Sequence, residues 1–325
     1  MRLKVILFSI ILCAVCLSYS QAGDADGFKL LQKRAEQGIA SAQNNLALMY
    51  AKGQGVAQDN EKALQWFTKA ASQGLSEAQY NLGHMYDLGE GVAQDYNKAF
   101  QWYTKAAEQG NASAQNMLGL MYYNGKGVVQ DYNKAYQWYT KATEQGNAVA
   151  QCNLALMYDD GKGVARDCNK AFEWYAKAAE QGISEAQYNI GNMYYKGEGV
   201  AQDNNKAFEW FTKAAEQGLA SAQYNLGLMY AEGKDVPRDY NKAFEWYIEA
   251  AEQGLAEAQC NLGVMYYYGQ GVPKNYIYAY MWVNLKSAKG NEDASELRDQ
   301  LIKEMTPEQV AEGRAMADEW EKKHQ

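Results

Sequence analysis

The sequence predicts an all-α fold: a right-handed α-solenoid of stacked antiparallel helix hairpins, closed by a C-terminal capping helix. Three observations carry that expectation. A 36-residue motif recurs seven times in strict register. The 325-residue chain holds 29 Gly but only 3 Pro, which suits helices joined by short glycine turns. Each copy carries two apolar stripes at helical spacing, and one hairpin cannot bury such stripes without a neighbour.

The register is fixed by an Ala-Gln pair that opens each copy, at Ala42, Ala78, Ala114, Ala150, Ala186, Ala222 and Ala258. Met-Tyr closes the same segment seven times, from Met49-Tyr50 to Met265-Tyr266. Gly-x-Gly-Val follows in six copies, and the seventh reads Gly233-Lys-Asp235-Val236. Asp-x-x-Lys-Ala then appears in six copies, as at Asp95, Lys98 and Ala99, and Trp falls at 66, 102, 138, 174, 210, 246 and 282.

Within a copy, Ala78, Leu82, Met85 and Tyr86 share one face of a first helix, and Gly83 on that face lets neighbouring backbone come close. Gly89 ends this helix, because glycine takes the left-handed conformation of a C-terminal cap. Val92 plugs the turn, and Asp95 is placed to cap a second helix over about 96–108. That helix carries Ala99, Trp102, Tyr103 and Ala106 on one side and stops at Gln109-Gly110. The Trp column reads as core filling the hairpin seam. Residues 28–38 match a lone second helix before the first copy. Ala294 keeps the register past the last copy, and Thr306-Pro307-Glu308-Gln309 opens a final helix to about Lys323, with Val310, Met316 and Trp320 inward.

The segment before the repeats has its own pattern. Arg2 and Lys4 precede an apolar run from Val5 to Leu17, and Ser20 and Ala22 supply small residues for cleavage. The run is too short to span a bilayer, so it reads as a cleaved signal peptide. The domain organisation expected is 1–22 signal peptide, 23–293 repeat solenoid and 294–325 helical cap. Cys152, Cys168 and Cys260 lie beyond the cleavage point. Helix length separates Cys152 from Cys168, so packed free thiols are expected rather than a disulfide.

Composition removes whole classes of chemistry. Only His84 and His324 are available, which argues against histidine metal sites and His-dependent nucleophiles. A net charge of −8 and an acidic isoelectric point argue against nucleic-acid binding. Nearly all glycines fall at repeated turn, stop or Leu-Gly positions, so Gly-x-Gly is punctuation and not a phosphate cradle. Acidic pairs such as Asp159-Asp160 read as solvated helix ends. No serine has Lys at +3, and no Lys-Thr-Gly occurs. No enzyme activity, cofactor or metal is expected.

Ala-x-x-x-Leu-Gly-x-Met-Tyr, Gly-x-Gly-Val, Asp-x-x-Lys-Ala and Trp-Tyr-x-Lys-Ala-Ala at this period resemble the Sel1-like repeats, a branch of the tetratricopeptide-like solenoids. The resemblance covers roughly 28–293. The segment from Tyr280-Met281-Trp282 through Gln309 resembles the closing part of bacterial Sel1-like proteins. Asp235, Asn275 and Tyr278 depart from the pattern and put the last turns in question. The resemblance implies a non-catalytic protein-binding adaptor of the bacterial envelope, or a secreted one, used in host contact, virulence or envelope signalling. Two other readings stay open: a penicillin-binding or β-lactamase-like hydrolase, as suggested by relatives, and a peptidoglycan or glycan binder.

The resemblance also places a partner site. The residue before Leu-Gly, which is Asn45, Asn81, Asn153, Asn189, Asn225 or Asn261, faces the concave groove of tetratricopeptide repeats. Asn is a poor interior helix former, so the column needs a reason: contact with a bound peptide backbone, or a structural ladder onto the next copy. Tyr80, Tyr188, Tyr195, Tyr224 and Tyr267 flank it, and tyrosine is enriched at protein interfaces. The expected partner is a protein or peptide in that groove, with no nucleic acid, no membrane insertion after signal cleavage, and a monomeric chain. The expected location is periplasmic or secreted. N-terminal sequencing of the exported product is expected to begin at Gly23; an intact Met1 on the exported chain would contradict the signal-peptide assignment.

Overall fold

The computed structural model describes residues 25–233, 236–287 and 292–324, so the signal segment and Asp235 lie outside the described residues. Among them are seventeen α-helices and no strand. The chain forms two compact units that meet in sequence between Asn147 and Ala148. The first contains α1 (Ala25–Glu36), α2 (Ala40–Lys52), α3 (Asn60–Ser72), α4 (Ser76–Leu88), α5 (Tyr96–Glu108), α6 (Ala112–Asn124) and α7 (Tyr132–Glu144). The second contains α8 (Ala148–Asp160), α9 (Cys168–Glu180), α10 (Ser184–Lys196), α11 (Asn204–Glu216), α12 (Ala220–Glu232), α13 (Tyr240–Glu252), α14 (Ala256–Tyr268), α15 (Tyr276–Ser287), α16 (Glu292–Glu304) and α17 (Pro307–Lys323). In each unit a helix packs on the next along the chain, the pattern of stacked hairpins.

The hairpin is set by its ends. Gly89 stops α4 at φ 77°, and its N–H returns to the Met85 carbonyl. The Asp95 N–H then bonds the Tyr86 carbonyl at 2.9 Å, folding the turn back over the helix it left. The Asp95 carboxylate accepts from the Lys98 N–H at 3.0 Å and starts α5. The Lys98 ammonium lies 3.6 Å from the same carboxylate and over the Tyr86 ring. Cap, turn and first helix are thereby tied together, and the same set recurs at Asp59 and Asp131 in the first unit and at Asp167 and Asp203 in the second, while Asp239 repeats the cap and Lys242 the contact with the ring of Tyr230.

The second turn glycine has a different task. At Gly91 (φ 67°) a Cβ would run into the backbone of Asn60, at the start of α3 in the preceding copy. Gly199 meets Cys168 and Gly271 meets Tyr240 in the same way. One copy docks on the next through this bare backbone. Val128, Val236 and Val272 pack from the turns onto the cores, as the sequence suggested for Val92.

The deepest ring is not the one expected. Trp66, Trp102, Trp138, Trp174, Trp210 and Trp246 are half-buried; of the seven only Trp282 is enclosed. The residue after each Trp fills the seam instead. Phe67, Tyr103, Tyr139, Tyr175, Phe211 and Tyr247 are all 2% exposed or less. Those rings sit on the Leu-Gly position of the partner helix, so Gly83 admits the ring of Tyr103 rather than a neighbouring backbone. The Trp faces outward enough for a lysine three residues on to cover it, with Lys69, Lys105, Lys177 and Lys213 at 4.0 to 4.1 Å from the ring centres.

The C-terminal segment closes the second unit. Thr306 and Gln309 form a reciprocal capping box at the start of α17. Gly313 lets that helix sit on Tyr280, and Trp320 meets Trp282 edge to face at 6.1 Å. Asn275 replaces Asp as a cap and accepts from the N–H of Ile277 and Tyr278. Tyr278 replaces the usual Lys and stacks on Tyr266 at 5.1 Å, so both departures keep the turn by other contacts.

Phe211→Ala is expected to cost about 3–5 kcal/mol, and Trp210→Ala clearly less, because only the first empties an enclosed seam. Hydrogen exchange should loosen chiefly the copies flanking the substitution. Equal costs for the two variants would contradict the assignment of the seam ring.

Candidate protein-binding surface

The first helix of each copy presents one stripe to its own hairpin and the adjoining residues to the open face. The constant Gln after the anchoring Ala lies between these roles. Gln79 is buried, donates to the Ala71 carbonyl of the preceding helix at 3.3 Å, and accepts from Gln109 at 2.6 Å. The relay repeats at Gln43–Gln73 and Gln115–Gln145 in the first unit. In the second it repeats at Gln151–Gln181, Gln187–Gln217 and Gln223–Gln253. Two glutamines thirty residues apart thus join one copy's first helix to its second, and the same amide reaches back to the copy before. The sequence held the signal in two constant Gln positions, but neither periodicity nor apolar patterning marks a buried polar residue.

The asparagine column is half-buried throughout. Asn81 donates to the Asn44 side chain at 3.0 Å in the first unit. In the second, Asn261 hydrogen-bonds the phenols of Tyr224 and Tyr247. These two members bond side chains of the preceding copy, where the ladder reading had expected backbone of the next. Asn45, Asn153, Asn189 and Asn225 hold the equivalent helix positions.

Tyr80, Tyr188 and Tyr224 are half-buried, each tilted against a seam ring: Tyr103 at 5.7 Å, Phe211 at 5.8 Å and Tyr247 at 5.8 Å. Burial raises the phenols of Tyr80 and Tyr224, helped by Asp87 and Glu257 respectively. Tyr195 is half-buried against the core of α11 and α12. The second unit therefore brings Tyr188, Asn189, Tyr195, Tyr224 and Asn225 onto two successive first helices. Tyr267 is a correction. It is only 8% exposed, its hydroxyl donates to Glu304 at 2.7 Å and accepts from Gln300 at 2.8 Å, and its ring stacks on Tyr276. The cap α16 covers it, so it belongs to the closure of the unit and not to an open face.

The three cysteines beyond the signal segment are free thiols. Cys152 is buried, and burial, then Glu185, pushes its thiol up to about 12. No group of three or more His, Cys, Asp or Glu among the described residues is placed to hold a metal ion. No described helix is long and apolar enough to cross a membrane.

Gln187→Met should cost about 1–3 kcal/mol, since it removes two hydrogen bonds, the one Gln187 donates to the Ala179 carbonyl at 3.2 Å and the one it accepts from Gln217 at 2.7 Å. Denaturant unfolding of the second unit checks this, and an unchanged stability would show the relay to be dispensable. Thiol labelling of the folded chain should spare Cys152, which becomes reactive only on unfolding.

Comparison with known proteins places this architecture. The chain is 39% identical to a Sel1 repeat protein from Oxalobacter formigenes, over 85% of this chain and 80% of that one, with a TM-score of 0.69. It is 34% identical to a protective antigen of uropathogenic Escherichia coli strains that displays an SLR fold, over 91% and 79% of the two chains, with a TM-score of 0.46. Among curated proteins none matches. The Sel1 repeat model matches seven consecutive segments, 40–75, 76–111, 112–147, 148–183, 184–219, 220–255 and 256–289, and on that ground the chain belongs to the Sel1 repeat family.

Proposed function

We propose that this chain is an exported scaffold of the bacterial envelope, or a secreted one, that holds a protein partner on the first helices of its second unit and performs no catalysis. Sel1 repeats are in general non-catalytic protein-interaction modules, which supports the broad reading. The finer one rests on a single observation. Tyr188-Asn189 and Tyr224-Asn225 occupy equivalent half-buried positions on α10 and α12, with Tyr195 about two helical turns along from Tyr188. Tyrosine offers a large, stiff contact area with a hydroxyl, and an amide can read the backbone of an extended peptide. The apolar run at 5–17 with its cleavage pattern supports export, and the acidic chain favours a basic partner surface.

The test is capture from envelope extract by the purified chain. Tyr188→Ala with Tyr224→Ala should weaken capture by about thirtyfold or more, the usual effect of losing a hot-spot aromatic. Both rings also buttress a seam ring, so Asn189→Ala with Asn225→Ala is the companion variant that leaves the aromatic packing in place. Control changes at Lys177 and Glu180, on the other helix of a neighbouring copy, should have little effect. Loss of capture with the control pair and retention with both groove pairs would move the partner to the second-helix face.

A further inference from the structure

One second helix lacks a charge that the others carry. α3, α5, α7, α9 and α11 each hold a lysine in the last turn, namely Lys69, Lys105, Lys141, Lys177 and Lys213. A cation there offsets the negative end of the helix dipole. α13 holds none. Glu249 stands at the lysine's position and Glu252 closes the helix, so two carboxylates meet that negative end. Glu249 accepts from the Gln223 amide at 3.0 Å. Glu252 finds its partner on the C-terminal cap: Nε2 of His324, which ends α17, lies 3.2 Å from its carboxylate.

The His324 ring is held on three sides. It stacks on the indole of Trp320, 4.0 Å away and 15° from parallel. That indole meets Trp282 of α15 edge to face and reaches over Gly254, just past the end of α13. The second ring nitrogen, Nδ1, lies 2.7 Å from the Trp320 carbonyl oxygen. A carbonyl and a carboxylate oxygen can only accept. Both contacts are therefore hydrogen bonds at once only when both ring nitrogens carry hydrogen. A neutral ring keeps one bond and turns a lone pair on the other acceptor. The arrangement is that of an imidazolium.

We propose that the last turn of α17 is a proton-dependent latch on α13, in which the His324 imidazolium supplies from the cap the cation that α13 lacks. Glu249 and Glu252 are the charged groups at this end of α13, and Glu321 and Lys323 flank the ring on α17 itself. α15, beneath the cap, carries neither an acid nor a histidine. Among the described residues, Glu252 is the carboxylate within 4.0 Å of the ring. Docking favours the charged ring, so the latch holds where imidazole carries its proton and a carboxylate has lost its own. That window lies between about pH 5 and 6.5, and the latch lets go as pH rises towards 8. It does not rest on the partner strip of α10 and α12.

Hydrogen exchange of the full chain at about pH 5.5 and about pH 8 tests this, read as protection factors so that the intrinsic pH dependence of exchange cancels. Amides of residues 318–324 should be about threefold or more better protected at the lower pH, the scale of one exposed ion pair at a helix end, while those of α11 keep their protection. Glu252→Gln should remove the difference by lowering protection at the lower pH. His324→Arg should remove it by raising protection at the higher pH, because a guanidinium stacks on the indole and stays charged throughout. His84→Gln, at the chain's other histidine, should behave like the parent. The latch is overturned by equal protection of the parent at both pH values, by a difference that survives Glu252→Gln or vanishes with His84→Gln, or by a His324→Arg chain as loose as the parent at the higher pH.

Discussion

Phe67, Tyr103 and Tyr139 in the first unit, and Tyr175, Phe211 and Tyr247 in the second, press a flat ring onto a glycine or alanine of the facing helix, and the hairpin's spacing follows from that contact. A ring on a Cβ-less surface brings the two helices close enough for the flanking alanines to close the core, as Ala99, Ala106 and Ala114 do around Tyr103. The small residues explain why thirteen-residue helices suffice. Each hairpin still leaves an apolar flank, which only the next copy covers. Docking between copies then depends on the second turn glycine and on the glutamine that reaches back to the preceding helix, so ring, glycine and amide form one unit of construction.

The repeat made the architecture legible. Its period marked two helices per copy, and in six of the seven copies Asp-x-x-Lys-Ala marked the start of the second helix and Gly-x-Gly the end of the first. Two assignments failed for physical reasons. Trp is large and apolar, so a fixed Trp column suggests a core. Yet the lysine three residues on can cover an outward indole, while Tyr or Phe next to it turns inward by one helical step of 100°. The spacing does not distinguish which of two adjacent aromatics is enclosed. Tyr267 failed because its neighbours come from α16, far away in sequence and outside the repeat pattern. No periodic signal announces Glu304 and Gln300 above it.

The open face was legible only in outline. Asparagine before Leu-Gly stood out as a poor helix former that recurred, and the structure gives two members of the column a neighbour in the preceding copy. What the sequence could not weigh was the double use of the tyrosines. Tyr188 and Tyr224 each give one face to a seam ring and leave part of their surface to the outside. A ring fixed in this way loses little conformational freedom when something binds to it, which is how a scaffold built for stacking can also be preorganised for recognition.

The same logic explains why the exceptions on the first-helix face carry more information than the regularities. Where packing dictates a residue, the copies agree: Ala78, Gln79, Leu82 and Met85 have counterparts throughout. Where packing is indifferent, they drift among Leu, Asn and Val. His84 and Asp87 fit neither case. They are polar, they border the buried Tyr103, and the equivalent Asp159 lies 3.8 Å from Arg166. In the second copy the position corresponding to Arg166 is Gln94, which bonds the Asp87 backbone carbonyl at 2.7 Å and brings no charge. The turn is thus held through the same backbone carbonyl in both copies, by Arg166 at 2.8 Å and by Gln94 at 2.7 Å, and only the arginine adds an ion pair.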